Sequence, residues 1–206
     1  MTTDQAVPVG RTTDRGTTTR SGLLAAAREV FTMEGYAQAG VSEIVALAGA
    51  SAGSLYHHFS GKAHLYLALF EELSTEHSER TRAAVRASRA GGVTDPMQLF
   101  LAGARGYLDV CIEQRDLAGL FARGDGPPGF ELLWRERLGD WVRKNTEFFA
   151  RSGEPLDEAA AIVMTGAMML AVAEVSLATD TARAHELADG VLEVMSRLTV
   201  NRAAAG

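Results

Sequence analysis

Val41-Ser-Glu-Ile-Val-Ala-Leu-Ala-Gly-Ala-Ser-Ala-Gly-Ser-Leu-Tyr-His-His-Phe-Ser-Gly-Lys62 reads as two short helices joined by a tight turn. At about 100° per residue, Val41, Ile44, Val45 and Ala48 line one side of the first helix, while Ser42 and Glu43 point away. Gly49 supplies the permissive backbone of a sharp stop, Ala50 bridges, and the Ser51 hydroxyl can cap the next helix, which starts at Ala52. Within that helix Ala52, Leu55 and Phe59 form an apolar stripe. Gly53 and His57 lie opposite it, with Ser54 and Tyr56 on the flanks. This is the layout of a helix-turn-helix, in which the second helix enters a DNA groove.

The outward face suits that task. Gly53 lets the backbone approach a groove wall, and Ser54, Tyr56 and His57 can donate hydrogen bonds to phosphates or base edges. The alternative is an ordinary helical hairpin whose Tyr56 and histidines merely face solvent. Against it stands the upstream stretch, where Leu23, Leu24, Ala27, Val30 and Phe31 form a helical stripe from about Thr18 to Glu34, stopped by Gly35. A three-helix unit follows, and Lys62 opens a fourth helix.

The run Leu24-Ala25-Ala26-Ala27-Arg28-Glu29-Val30-Phe31, then Glu34-Gly35-Tyr36, Ile44, Ala48-Gly49 and Gly53 to Lys62 resembles the DNA-binding domain of TetR-type transcriptional regulators, ungapped over about Arg20 to Leu69. The resemblance implies that Tyr56 holds one phosphate and Lys62 another, and that Ser42, Ala52, Gly53, Ser54 and His57 approach the groove. One departure matters. No Arg, Asn or Gln lies on this helix to read guanine or adenine with paired hydrogen bonds, so sequence choice leans on methyl contacts, DNA shape, Ser42 or an N-terminal arm.

The chain has 206 residues and a net charge of −6. Residues 1–65 carry five Lys or Arg and five Asp or Glu, so the whole excess of acid lies beyond them. DNA binding must then rest on local donors, namely Arg20, Lys62, helix N-termini and the arm with Arg11 and Arg15, and nonspecific affinity should be weak and salt-sensitive. The polar start lacks the apolar core of a secretory signal, and no run of about 18 apolar residues interrupts the chain, so a cytoplasmic protein without membrane contact is expected. Cys111 is alone and reads as a small buried hydrophobe.

The remainder reads as helix after helix, giving an all-α chain of about nine helices: a disordered arm over 1–16, the helix-turn-helix domain over 17–65, and an effector-binding and dimerisation domain over 66–206. The fourth helix is expected from about Lys62 to Ala90, with Thr75 a candidate break. Asp95-Pro96 starts the next, with Leu99, Gly103, Tyr107 and Cys111 on one side. A short helix follows around Leu117 to Ala122. The loop Gly124-Asp-Gly-Pro-Pro-Gly129 spells Gly-x-Gly-x-x-Gly, but its prolines and the lack of a preceding strand argue against a dinucleotide site. Helices over about Phe130 to Arg151, Leu156 to Ala178 and Thr181 to Leu198 complete the chain.

The helix after Leu156 mixes small and apolar residues almost all round and should be covered on more than one side. Its partner carries Leu187, Val191, Val194, Met195 and Leu198 on one face. Either one chain buries both helices, or they pair with a second copy in a four-helix bundle; the resemblance implies the homodimer. Tyr107, Cys111, Phe121, Trp134, Phe148, Met164 and Met168 are candidates to line a cavity for a small apolar or aromatic effector. Catalysis, a metal and a cofactor find no support, because His57, His58, His64, His77 and His185 show neither metal-ligand spacing nor a nucleophile partner. The expected function is a ligand-responsive, homodimeric regulator of transcription that binds double-stranded operator DNA, as a repressor released by its effector. The alternative is a DNA-binding regulator without an effector.

Overall fold

Side-chain caps set where several helices begin. Asp95, Asp157 and Asp180 each accept a hydrogen bond from the amide three residues on, at 2.7, 2.7 and 2.8 Å. Each satisfies one donor that the first helical turn leaves without a partner. The computed structural model describes residues 11–153 and 155–197. Among these, nine helices follow in order: α1 (Arg11–Gln38), α2 (Val41–Leu47), α3 (Ala52–His58), α4 (Lys62–Ala90), α5 (Pro96–Glu113), α6 (Arg115–Ala122), α7 (Phe130–Arg151), α8 (Glu158–Ser176) and α9 (Thr181–Ser196). The all-α expectation holds.

Two features differ from the sequence reading. Helix α1 starts at Arg11 and not near Thr18, so residues 11–16 of the expected arm are helical backbone; residues 1–10 lie outside the described residues. No proline separates Arg11 from the Leu23 to Phe31 stripe, and Gly16 alone does not end a helix anchored downstream. Helix α4 runs through Thr75 without a break. Gly35 does end the regular part of α1, with φ 80° and ψ 165°, a conformation that only glycine adopts without strain.

The chain divides into two compact units after Phe70. In the first, Leu23, Ala27, Phe31, Ile44, Leu55, Leu65 and Tyr66 are completely buried. Phe31, Tyr36 and Tyr66 meet pairwise, with ring centroids 5.2 to 5.9 Å apart. In the second unit α5 lies tightly on α4. A side-chain carbon at Gly106 would stand 3.0 Å from the Arg80 carbonyl oxygen and 3.2 Å from Ala84 Cβ, so any larger residue would require the two helices to give by a few tenths of an ångström. The same two helices are tied by a double hydrogen bond from Arg80 to Glu113, at 2.9 and 2.7 Å.

Helix α8 packs against α5, α6, α7 and α9. Phe149, Leu156, Ala161, Met164 and Met195 form a buried cluster there. With 19 residues and a mean hydropathy of 1.8, α8 is long and apolar enough to cross a membrane, which corrects the expectation that no such stretch exists. Counting uninterrupted apolar residues passes over it, because Glu158 and Glu174 bound the apolar stretch and Thr165 and Gly166 interrupt it, while the mean over the helix stays high. On α9 the buried residues are Ala184, Ala188, Leu192 and Met195, whereas Val194 is turned outward. The larger side chains of that helix thus do not face its own chain as a block, and Leu198 lies outside the described residues.

Candidate nucleic-acid interface and effector site

The faces of α3 separate at Leu55 and Phe59 as the sequence suggests, but Ala52, expected on the same buried stripe, is exposed, because it sits in the first turn where the neighbouring elements do not cover it. Leu55 and Phe59 are 0% and 1% exposed, while Tyr56 is 59% exposed and His57 points to solvent with it. Leu55 is thereby the root of the helix and Tyr56 its reach. At the N-terminal end, the Ser51 hydroxyl accepts from the Ser54 amide at 3.1 Å, and Gly49 makes the turn at φ 60°. Ser42, Ala52 and Gly53 are exposed and Ser54 is half-buried. A side chain added at Gly53 would meet only Ser51 Oγ, at 3.8 Å. A cleft of about 510 Å³, lined in part by Thr18, Thr19, Gly22, Ser51 and Ser54, opens beside the start of this helix. Its walls offer hydroxyl groups and no formal charge.

The two cations expected to serve the DNA backbone have partners inside the unit. The Arg20 guanidinium lies over the Phe59 ring, 5.2 Å from its centroid. Lys62 Nζ donates to the carbonyl oxygens of Tyr36, Ala37 and Ala39 at 2.7, 3.2 and 3.0 Å. The ammonium that the resemblance assigns to a phosphate is thus directed onto main-chain carbonyls in this structure. Close by, His64 Nδ1 accepts from the Ser60 amide at 3.1 Å, and its ring meets Phe59 edge-on at 5.3 Å. Partial desolvation and then the neighbouring Glu34 carboxylate raise the Glu43 carboxyl above its usual range.

In the second unit, the seven candidate effector residues fall into two groups. Tyr107, Cys111, Phe121 and Trp134 belong to a row of contacts that runs His77–Tyr107–Trp141–Trp134–Phe130–Phe121, with centroid separations of 3.9, 5.3, 6.3, 6.3 and 6.1 Å. Cys111 joins it through its sulfur, 3.4 Å from His77 Nε2. Phe148, Met164 and Met168 belong instead to the cluster around Phe149 and Met195.

Sequence reasoning missed His77, Trp141 and Phe130 as members of the row. The signal for His77 is its spacing of four from buried Leu73, which puts it on the inward stripe of α4. Burial holds its pKa down at about 4, so the imidazole is neutral. Burial also pushes the Cys111 thiol up to about 12 and the Tyr107 phenol well above its ordinary value. The trio is uncharged at neutral pH and matches an apolar or aromatic environment.

Residues 23–69 match the family of bacterial regulatory proteins, tetR family. Among characterised relatives, the HTH-type transcriptional activator FasR of Mycolicibacterium smegmatis is 42% identical over 33% of this chain and 37% of that protein. The HTH-type transcriptional regulator TtgR of Pseudomonas putida is 36% identical over 37% of this chain and 36% of that protein. The match thus spans little more than a third of the length of these relatives.

Solved structures extend the likeness along the chain. A TetR-family transcriptional regulator from Pectobacterium atrosepticum is 26% identical, covers 89% of this chain and 95% of its own, and superposes with a TM-score of 0.59. FadR of Bacillus subtilis, crystallised with stearoyl-CoA, shares the fold at 20% identity and a TM-score of 0.66, over 86% of this chain and 97% of its own. With the exposed face of α3, the glycine turn at Gly49 and the Ser51 cap in place, residues 23–69 form a DNA-binding domain of the tetR family of bacterial regulatory proteins, and the chain as a whole resembles TetR-family regulators.

Proposed function

We propose that the chain acts as a homodimeric transcriptional repressor that binds double-stranded operator DNA and is released by a small apolar or aromatic effector. The observation that carries the DNA reading is the opposition between buried Leu55 of α3, with Phe59 at its C-terminal cap, and exposed Tyr56 and His57. A short helix held by one side and solvated on the other is what a major groove requires. Tyr56 is assigned to a phosphate, and Ser42, Ala52, Gly53, Ser54 and His57 to the groove.

Dimerisation is supported by the outer side of the last two helices, where Ile162, Val163, Leu170 and Val194 are each more than half exposed. Large apolar side chains gathered in this way mark an interface. A two-fold copy would present two α3 helices to successive turns of one duplex. The effector reading is supported by the neutral aromatic row from His77 to Phe121. It must bind one dimer geometry more tightly than the other to change DNA affinity. A cytoplasmic location, where the DNA is, belongs to the same proposal.

A second reading has its own observation. Cys111, Phe121 and Met164 are already packed to 0%, 5% and 2% exposure, as in a core that needs no guest. Fluorescence anisotropy with the protein's own upstream intergenic DNA tests the first reading: a specific complex at moderate salt is expected, and its absence removes operator binding. A thermal-shift screen with lipophilic and aromatic compounds then separates the two, because a ligand that prefers the native state raises the melting temperature.

A further inference from the structure

The Lys62 ammonium has three protons, and three main-chain oxygens lie within reach of it: Tyr36 O at 2.7 Å, Ala39 O at 3.0 Å and Ala37 O at 3.2 Å. The same nitrogen sits over the Tyr36 ring, 4.5 Å from the centroid. These carbonyls lie at the C-terminal end of α1, just past Gly35, whose φ of 80° interrupts the regular helix. A cation at the C-terminal end of a helix is favoured by the carbonyl dipoles that accumulate at that end. One turn further along α4, fully buried Tyr66 meets Tyr36 edge-on at 5.2 Å. The first two turns of α4 therefore grip the corner where α1 gives way to α2. Helix α2 begins immediately afterwards, from Gly40, without a side-chain cap of its own.

We propose that Lys62 is a positioning residue that fixes the α1–α2 corner, and through it the setting of α2 and α3 on the duplex, and that it does not contact a DNA phosphate. This rests on the DNA-binding reading given above. A lysine that neutralises a phosphate releases a counterion, so its removal lowers the salt slope of binding by about 0.9. A lysine whose protons are spent on carbonyls releases none. Its loss lets the corner move, which harms binding that depends on register and spares binding that does not.

The test uses the full-length protein, a mixed-sequence duplex, and a duplex enriched by the wild type from a random library. Anisotropy titrations over a range of salt are made for the wild type and Lys62→Ala, with Lys62→Met as the variant that keeps the packed stem. The expected result is an unchanged salt slope on the mixed-sequence duplex and a loss of about tenfold or more on the enriched one, the worth of a single good base contact. In the free protein, the Lys62 ammonium should give a protected NMR signal, displaced by the Tyr36 ring and unmoved when DNA is added. A slope lower by about 0.9 in the variants, or an ammonium signal that is missing before DNA or shifts with it, overturns the proposal. If the wild type binds no duplex, the DNA reading falls, and the signal in the free protein still decides whether Lys62 holds the corner.

Discussion

The imidazole of His77 lies flat on the Tyr107 ring, 3.9 Å between centroids and 12° from parallel. Its Nε2 faces the Cys111 sulfur at 3.4 Å, and burial keeps its pKa near 4 against an ordinary 6.5. The unfolded chain therefore takes up a proton before the folded one does. Stability is fully present above pH 6.5 and is lost as pH falls from there toward 4. By linkage this amounts to about 2 kcal/mol between pH 7 and pH 5. Urea unfolding at the two pH values should show that loss in the wild type and not in His77→Phe. Equal pH dependence in both proteins would exclude His77 as its source.

Gly106 and Gly139 should respond to alanine with opposite signs. At Gly106 the new methyl meets the Arg80 carbonyl oxygen at 3.0 Å, main chain that cannot swing aside, so a loss of about 1–3 kcal/mol is expected. At Gly139, mid-way along α7 with nothing within 4 Å, the same change should add about 0.5–1 kcal/mol by helix propensity. Thermal melts of the two variants decide; a stabilised Gly106→Ala would mean that α4 and α5 are not held so closely.

Leu170 faces outward on α8 beside Val163 and Gly166. Leu170→Glu is expected to leave the helix content unchanged and to shift the sedimenting species from dimer to monomer, since one carboxylate per copy would have to be buried in the pair. A variant that still sediments as a dimer would place the interface elsewhere.

On α3, Tyr56→Phe removes a hydroxyl from an exposed ring and should weaken binding to every duplex by a similar factor, as loss of a phosphate contact does. His57→Ala should instead change which sequences are selected from a random library. Selections that return the same motif for wild type and His57→Ala would take His57 out of the groove.

The helix-turn-helix was legible because its information is local. Gly49, Ser51, Leu55 and Phe59 each act within one or two turns, and the structure has them as a stop, a cap and two roots. The start of α4 was not legible in the same way. Lys62 reaches residues some two dozen positions earlier, and nothing in its own neighbourhood announces that an ammonium will be consumed by carbonyls. The effector candidates show the same limit. Tyr107 and Cys111 share a face of α5 by spacing, but whether Trp134 or Met168 joins them depends on how α7 and α8 cross, and the seven residues divide between two clusters. His77 carries no metal-ligand spacing, and its helical register, four residues after buried Leu73, is what signals its burial.

The open space around Gly53 carries a consequence for the history of such a chain. A methyl group there would meet only Ser51 Oγ, and Ala52 beside it is also exposed, whereas folding is secured from the other side by Leu55 and Phe59. If these two positions face the groove as proposed, replacements there would alter the DNA sequence preferred at little cost to the scaffold. Descendants of one ancestral gene could drift to new binding sites one neutral step at a time.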